Sequence, residues 1–270
     1  MIDVCFFSGE MSTDFAEAVR LGVEAGANSV EIRGGLWGKR IQEIDDDDVK
    51  RMQEVLASHH AHVASIGSPV GKCDIDSEEE YDTHRRYFDR MIELAQVFQT
   101  RIIRGFVFWK PDRKTDRGRP DLSLYMDQIV EKIAPMLPLA EEAGVTLSIE
   151  TEGSTLLGTC GEIRTVFDAL GNSPALSVCW DVRNSLNCGE PLREGYNLVK
   201  GDVTHFHVKP NANKTMDPID DHGLTYADLF QIAIADGFQG AASIEHWGTP
   251  EEMLKGVREL RAAVDQMSVI

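Results

Sequence analysis

Glu150, Asp181, His207 and Glu245 stand near the ends of four short β-like runs, LSIETEG, LSVCWDVRN, THFHVKP and ASIEHWG. Successive members are roughly thirty residues apart, about one strand-plus-helix unit. Neighbouring parallel strands would aim these three carboxylates and one imidazole at a single point. Such a set is hard and anionic and suits one divalent cation. Mn²⁺ is favoured, and Mg²⁺, Co²⁺ or Zn²⁺ is also compatible. Any one of these acids could instead cap the following helix or pair with a lysine. Recurrence on four successive strands is what points to a metal.

Other residues near these ends are candidates for binding substrate. Lys209 shares the face of His207 and could polarise a substrate oxygen, hold a carboxylate, or close an ion pair. Glu152 follows Glu150 on the same face and could bind hydroxyls or orient a neighbour. Asn184 lies beside the expected ion, with turn formation as its plainer role. Arg33 and Arg104 could make cationic contacts, although Arg104 sits in a strand apolar on both faces and could point outward. Trp109 and Trp247 could wall a pocket or pack into the core. His205 shares its strand face with His207 and is expected to pack or support rather than ligate. The loop SPVGK (68–72) is a weak phosphate signal, because small residues and a lysine also make an ordinary turn.

The elements that must carry these residues alternate along the chain. Strands are predicted over 2–8, 29–33, 62–69, 100–109, 145–153, 176–184, 204–210 and 241–248. Helical patterns fall over 14–25, 45–58, 78–98, 122–143, 161–170, 192–200, 225–236 and 250–265, with Pro135 and Pro138 disturbing the fourth. Within the later strands the alternation is regular. Val145, Leu147 and Ile149 oppose Thr146, Ser148 and Glu150, and Phe206 and Val208 oppose His205, His207 and Lys209. The apolar set can pack on helices while the polar set faces a barrel axis. Eight such units with no linker predict one (β/α)₈ barrel domain over residues 1–270.

A net charge of −18 disfavours a nucleic-acid partner, which needs a basic face. The run Asp45–Asp48 reads as an acidic helix start. No stretch is apolar enough to cross a membrane, and MIDVCFFSGEMS lacks a signal-peptide pattern. Five cysteines without paired spacing fit a reduced, cytoplasmic enzyme. The tail QMSVI could help the chain form a homo-oligomer.

The motifs SVEIR, SIGSPVGK, IETEG, WDVRN, HFHVK and SIEHW, spread over nearly the whole chain, resemble those of the xylose isomerase-like barrels, the sugar phosphate isomerase/epimerase superfamily. The resemblance implies metal ligands at Glu150, Asp181, His207 and Glu245, the residues that spacing already selects. It also implies proton transfer beside a carbonyl through a metal-stabilised enediolate, with Glu150 and Glu245 as acid and base. The extra histidines that endonuclease members need are replaced by Ser68-Pro69, Phe108-Trp109 and the segment Asn211–Lys214. Asn184 stands where ketose 3-epimerases tend to have a histidine. The expected activity is that of a metal-dependent isomerase or epimerase of a small sugar or keto-polyol. A dehydratase, a non-catalytic metal-binding barrel and an endonuclease are the alternatives.

Overall fold

The computed structural model describes residues 2–111 and 118–267. Part of the charged loop 110–121 and the last three residues of the QMSVI tail lie outside the described residues. Eight strands appear where alternation predicts them, each somewhat shorter than its apolar run. They are β1 (Asp3–Phe6), β2 (Ser29–Ile32), β3 (His62–Gly67), β4 (Ile102–Gly105), β5 (Thr146–Glu150), β6 (Leu176–Asp181), β7 (Val203–Val208) and β8 (Ala241–Ile244). Their order in one sheet is β1-β8-β7-β6-β5-β4-β3-β2. A parallel bridge between Phe7 and Glu31 links the segments at the β1–β2 seam. This is a nearly closed barrel of eight parallel strands with helices between them.

The helices are α1 (Ser8–Met11), α2 (Phe15–Glu24), α3 (Asp46–Ser58), α4 (Glu78–Phe98), α5 (Met126–Ile133), α6 (Leu137–Ala143), α7 (Cys160–Ala169), α8 (Val182–Asn187), α9 (Leu192–Val199), α10 (Tyr226–Ala235) and α11 (Pro250–Met267). Pro135 and Pro138 fall where a 3₁₀ turn, Ala134–Met136, separates α5 from α6. The acidic run before α3 acts as its cap: Asp45 accepts from the backbone N–H groups of Asp47 and Asp48. Two short helices take residues that the sequence pattern gives to strands: α1 begins at Ser8, the end of the predicted strand 2–8, and α8 begins at Val182, inside the predicted strand 176–184.

Although no composition break marks the chain, it divides into two compact units, Met1–Gly67 with His205–Ile270, and Ser68–Thr204. In the first, β1 and β7 both pair with β8, which sets His207 opposite Ser243. β2 pairs with β3 through a register shift that passes over Ala64 of β3, so that Val30 faces Val63 and Glu31 faces Ser65. The amphipathic α2 buries Phe15, Ala18 and Val19, and the Phe6 ring occupies the space that a Cβ on Gly22 would need.

In the second unit β5 pairs with both β4 and β6. Leu147, Ile149 and Val178 are buried, as are Ser148 and Ser177. The small polar side chains satisfy one another: Thr146 Oγ1 lies 2.9 Å from Ser177 Oγ, which is 2.9 Å from Thr204 Oγ1, and that atom is 3.2 Å from Ser148 Oγ. After β3 the chain turns at Gly71, whose φ is +83°. A Cβ there would sit 1.9 Å from the Phe106 carbonyl oxygen, so only glycine allows this loop to lie against the chain that leaves β4. Gly71→Ala is expected to lower stability by about 2–4 kcal/mol in urea unfolding; an unchanged midpoint would contradict the tight approach.

Candidate metal centre

In the first unit, β7 directs both His205 and His207 into the interior, and neither has any exposed surface. Glu31 of β2, also fully buried, meets them. Its Oε2 is 2.8 Å from His205 Nε2 and 3.2 Å from His207 Nε2, and it accepts from Ser243 Oγ at 2.8 Å. Burial opposes ionisation of Glu31, but the two histidines hold its carboxyl well below the usual range. Sequence reasoning assigned Glu31 no role. The available signal was a lone acid in the otherwise uncharged run SVEI, a residue type rarely buried without partners.

The other nitrogen of His207, Nδ1, lies 3.4 Å from Glu245 Oε2. The ring also packs edge-on to Phe7, with 5.2 Å between centroids. Glu245 follows β8 and is only 2% exposed. Arg33 Nη1 donates to its Oε1 at 2.8 Å, and Lys209 Nζ lies 3.4 Å from its Oε2. Arg33 also donates through Nη2 to Glu10 Oε1 at 2.5 Å, and its guanidinium lies over the Phe7 ring. Burial works against the Arg33 charge, but Glu245 and Glu10 raise its pKa above the ordinary value. Glu10 in turn accepts the backbone N–H of His246 at 2.6 Å. Arg33 is thus engaged by two carboxylates, and Lys209 stands within ion-pair range of Glu245.

Two further donor sets lie within this unit, Glu31–His205–His207 and Glu10–Glu245–His246, each with ligand atoms within 4.8 Å of one another. The first is closed by its own hydrogen bonds. In the second, Arg33 donates to both Glu10 and Glu245, and His246 is exposed.

In the second unit, Glu150 ends β5 and Asp181 ends β6, 3% and 0% exposed. Arg104 is buried too, with Nε 3.4 Å from Glu150 Oε2 and its guanidinium over the Phe106 ring. The expectation that Arg104 could face outward is therefore corrected: on a strand apolar on both faces, the partner carboxylate decides its direction. Asp181 caps α8 by accepting the Asn184 N–H at 2.8 Å. Thr151 Oγ1 clamps the Asp181 backbone, donating to its carbonyl and accepting from its N–H, both at 3.0 Å. Asn184 Nδ2 donates to the Thr151 carbonyl at 2.9 Å, so this amide braces the loop. Glu152 pairs with Lys72 at 3.3 Å and accepts the Ser154 N–H. Lys72, the lysine of SPVGK, also lies over the Phe106 ring. Of the two places expected for Trp247 it takes the core: it is wholly enclosed, donates Nε1–H to the Val208 carbonyl at 3.0 Å and packs against Gly256 of α11.

Residues 19–263 match the family described as xylose isomerase-like TIM barrel. The chain belongs to that family. Solved structures of the same fold include D-psicose 3-epimerase with D-tagatose from Clostridium cellulolyticum H10, at 12% identity and TM-score 0.75, covering 100% of this chain and 99% of that one. A xylose isomerase-like TIM barrel protein from Mycobacterium smegmatis, in complex with magnesium, is 18% identical with TM-score 0.71 over 93% and 88% of the two chains. A probable 3-DHS dehydratase, AsbF, from Bacillus anthracis is 16% identical with TM-score 0.72 over 99% of each chain. At these identities the likeness is one of fold. No curated protein matches the sequence significantly. Among the described residues no helix is long and apolar enough to cross a membrane.

Thr151→Val keeps the shape of the clamp but removes two hydrogen bonds to the buried Asp181 backbone. It is expected to cost about 1–3 kcal/mol in urea unfolding; no loss would show that the hydroxyl is dispensable.

Proposed function

We propose that the protein is a divalent-metal-dependent isomerase or epimerase of a small sugar or keto-polyol, acting by proton transfer beside a carbonyl. Glu150, Asp181, His207 and Glu245 would hold one ion. They are buried, they offer three carboxylates and one imidazole, and they finish strands that are consecutive in the sheet order. The observation that carries the reading is the 3.4 Å approach of His207 Nδ1 to Glu245 Oε2, both enclosed. At that distance the imidazole nitrogen and the carboxylate oxygen can both serve one divalent ion, beside Lys209 Nζ at 3.4 Å from the same oxygen. The oxygen-rich set favours a hard ion such as Mn²⁺ or Mg²⁺ over a thiolate-seeking one, and the magnesium held by the M. smegmatis protein agrees.

A bound divalent ion supplies Lewis-acid polarisation of a carbonyl and its neighbouring hydroxyl, which acidifies the carbon-bound proton between them. The chain's own residues would do the rest. Arg33 donates to Glu245 Oε1 and so fixes the direction of the carboxylate that would accept the proton. Glu150, braced by Arg104, would deliver a proton drawn from solvent, and Glu245 would release to solvent the one it accepted. Return to the same carbon from the opposite side gives an epimer, and return to the neighbouring carbon an aldose–ketose shift. Lys209 and Glu152 would meet substrate oxygens, while Arg33 and Asn184 act through the groups they hold. The five free cysteines support a reduced, cytoplasmic setting.

Solvent deuterium incorporation into a panel of ketoses and keto-polyols tests this reading. Glu245→Gln is expected to fold, to bind Mn²⁺ more weakly, and to lose exchange by at least about 10²–10⁴-fold. Unchanged exchange would remove Glu245 from the reaction, and a product lighter by one water would mark a dehydratase instead. Chelation should lower the melting temperature, and Mn²⁺ at about 100 times Kd should restore about 2.7 kcal/mol; a melting curve indifferent to metal would contradict the centre.

A further inference from the structure

We propose that Arg183 forms a binding site for an oxyanion, the carboxylate or phosphate group of a substrate, at the carboxyl end of β6. The inference deepens the reading above by giving the substrate a negative charge, and it rests on that reading for the anion belonging to a substrate. The affinity for an oxyanion belongs to Arg183 itself.

Arg183 is the second residue of α8, which follows directly on β6 at Asp181. Its Nε and Nη2 are enclosed, and among the described residues nothing accepts from either. A guanidinium cannot escape such a place by losing its proton, and an enclosed N–H without an acceptor is costly. Carboxylates are not scarce, since acids outnumber bases 45 to 27 in the chain. Elsewhere they are used: Arg33 pairs with Glu245, Arg104 with Glu150, Arg119 with Glu162 and Arg164 with Asp202. Arg183 departs from these arginines in having no carboxylate of the chain.

The two enclosed atoms also have a shape. Nε and Nη2 lie on one edge of the planar guanidinium, and their N–H bonds run side by side. That fork matches two oxygens of a carboxylate or a phosphate, and a single hydroxyl or carbonyl oxygen satisfies only half of it. The backbone that carries the fork is pinned on both sides. Thr151 holds the N–H and carbonyl of Asp181 at 3.0 Å each, Val182 is wholly buried, and Asn184 is tied through its N–H to Asp181 and through Nδ2 to the Thr151 carbonyl. A cation presented from so fixed a base loses little freedom on binding. Its place just past a strand end is also the end of such a barrel where ligands are met.

The test is calorimetric titration of the protein in Mg²⁺ buffer with three six-carbon probes: D-fructose, D-fructose 6-phosphate and 5-keto-D-gluconate. Wild type is expected to bind at least one of the two anions about 10-fold or more tighter than D-fructose. The preferred anion tells a phosphate site from a carboxylate site. Arg183→Met, which keeps the length of the stem, is expected to lose that preference and to bind D-fructose as wild type does. Arg183→Lys keeps the charge without the fork and is expected to retain only part of it. D-fructose bound as tightly as both anions by wild type overturns the proposal, as does a preference that survives in Arg183→Met. If Arg183→Met does not fold, Arg183→Lys decides, and an undiminished preference there overturns it. Loss of the anions in Arg183→Met, with no solvent deuterium entering any ketose in wild type, would sink the isomerase reading and leave the oxyanion site standing.

Discussion

Charge enclosed within a barrel needs an answer at close range, and that constraint organises the described interior. A buried carboxylate is tolerated only where donors or cations surround it, since its desolvation otherwise exceeds what folding can supply. Glu31 meets the requirement with two imidazoles and two hydroxyls. Glu245 meets it with Arg33 and Lys209, and Glu150 with Arg104. Each acid therefore sits in a fixed direction, and that fixity is what a metal or a substrate proton requires.

The two compact units use the same device. In each, an arginine leaning on a phenylalanine ring braces a glutamate at or just past a strand's end: Arg33 over Phe7 beside Glu245, and Arg104 over Phe106 beside Glu150. The arginine limits which carboxylate oxygen can reach a ligand. Backbone clamps add to this. Thr151 ties down the chain at Asp181, and Glu10 ties down the chain at His246, one residue beyond Glu245. The loops at these ends are thereby built to hold side chains still.

Much of this was legible in the sequence because a strand's side chains alternate with period two. Runs such as LSIE and HFHV announce both a strand and the face its polar residues take, while the earlier strands were legible as short apolar runs between helical patterns. The candidate ligands could be chosen because an acid or imidazole ends each apolar run. What the pattern cannot report is a partner far along the chain. Glu31 and His205 are 174 residues apart, and nothing local to either says that they meet. Arg104 was ambiguous because Ile102, Ile103 and Gly105 give no polar face to side with. Trp247 lies just past the last strand residue, where alternation stops and the close approach of Gly256 on α11 decides its place. The helix α8 was hidden because Asp181 serves as both strand end and helix cap.

Everything in the proposed chemistry depends on one divalent ion gathering the ends of four strands. An anomalous-difference map from a crystal of the protein grown with Mn²⁺ is the decisive measurement. A single strong peak bonded to Glu150, Asp181, His207 and Glu245 is expected. No peak, or a peak held by Glu10 and His246 without Asp181, would contradict it.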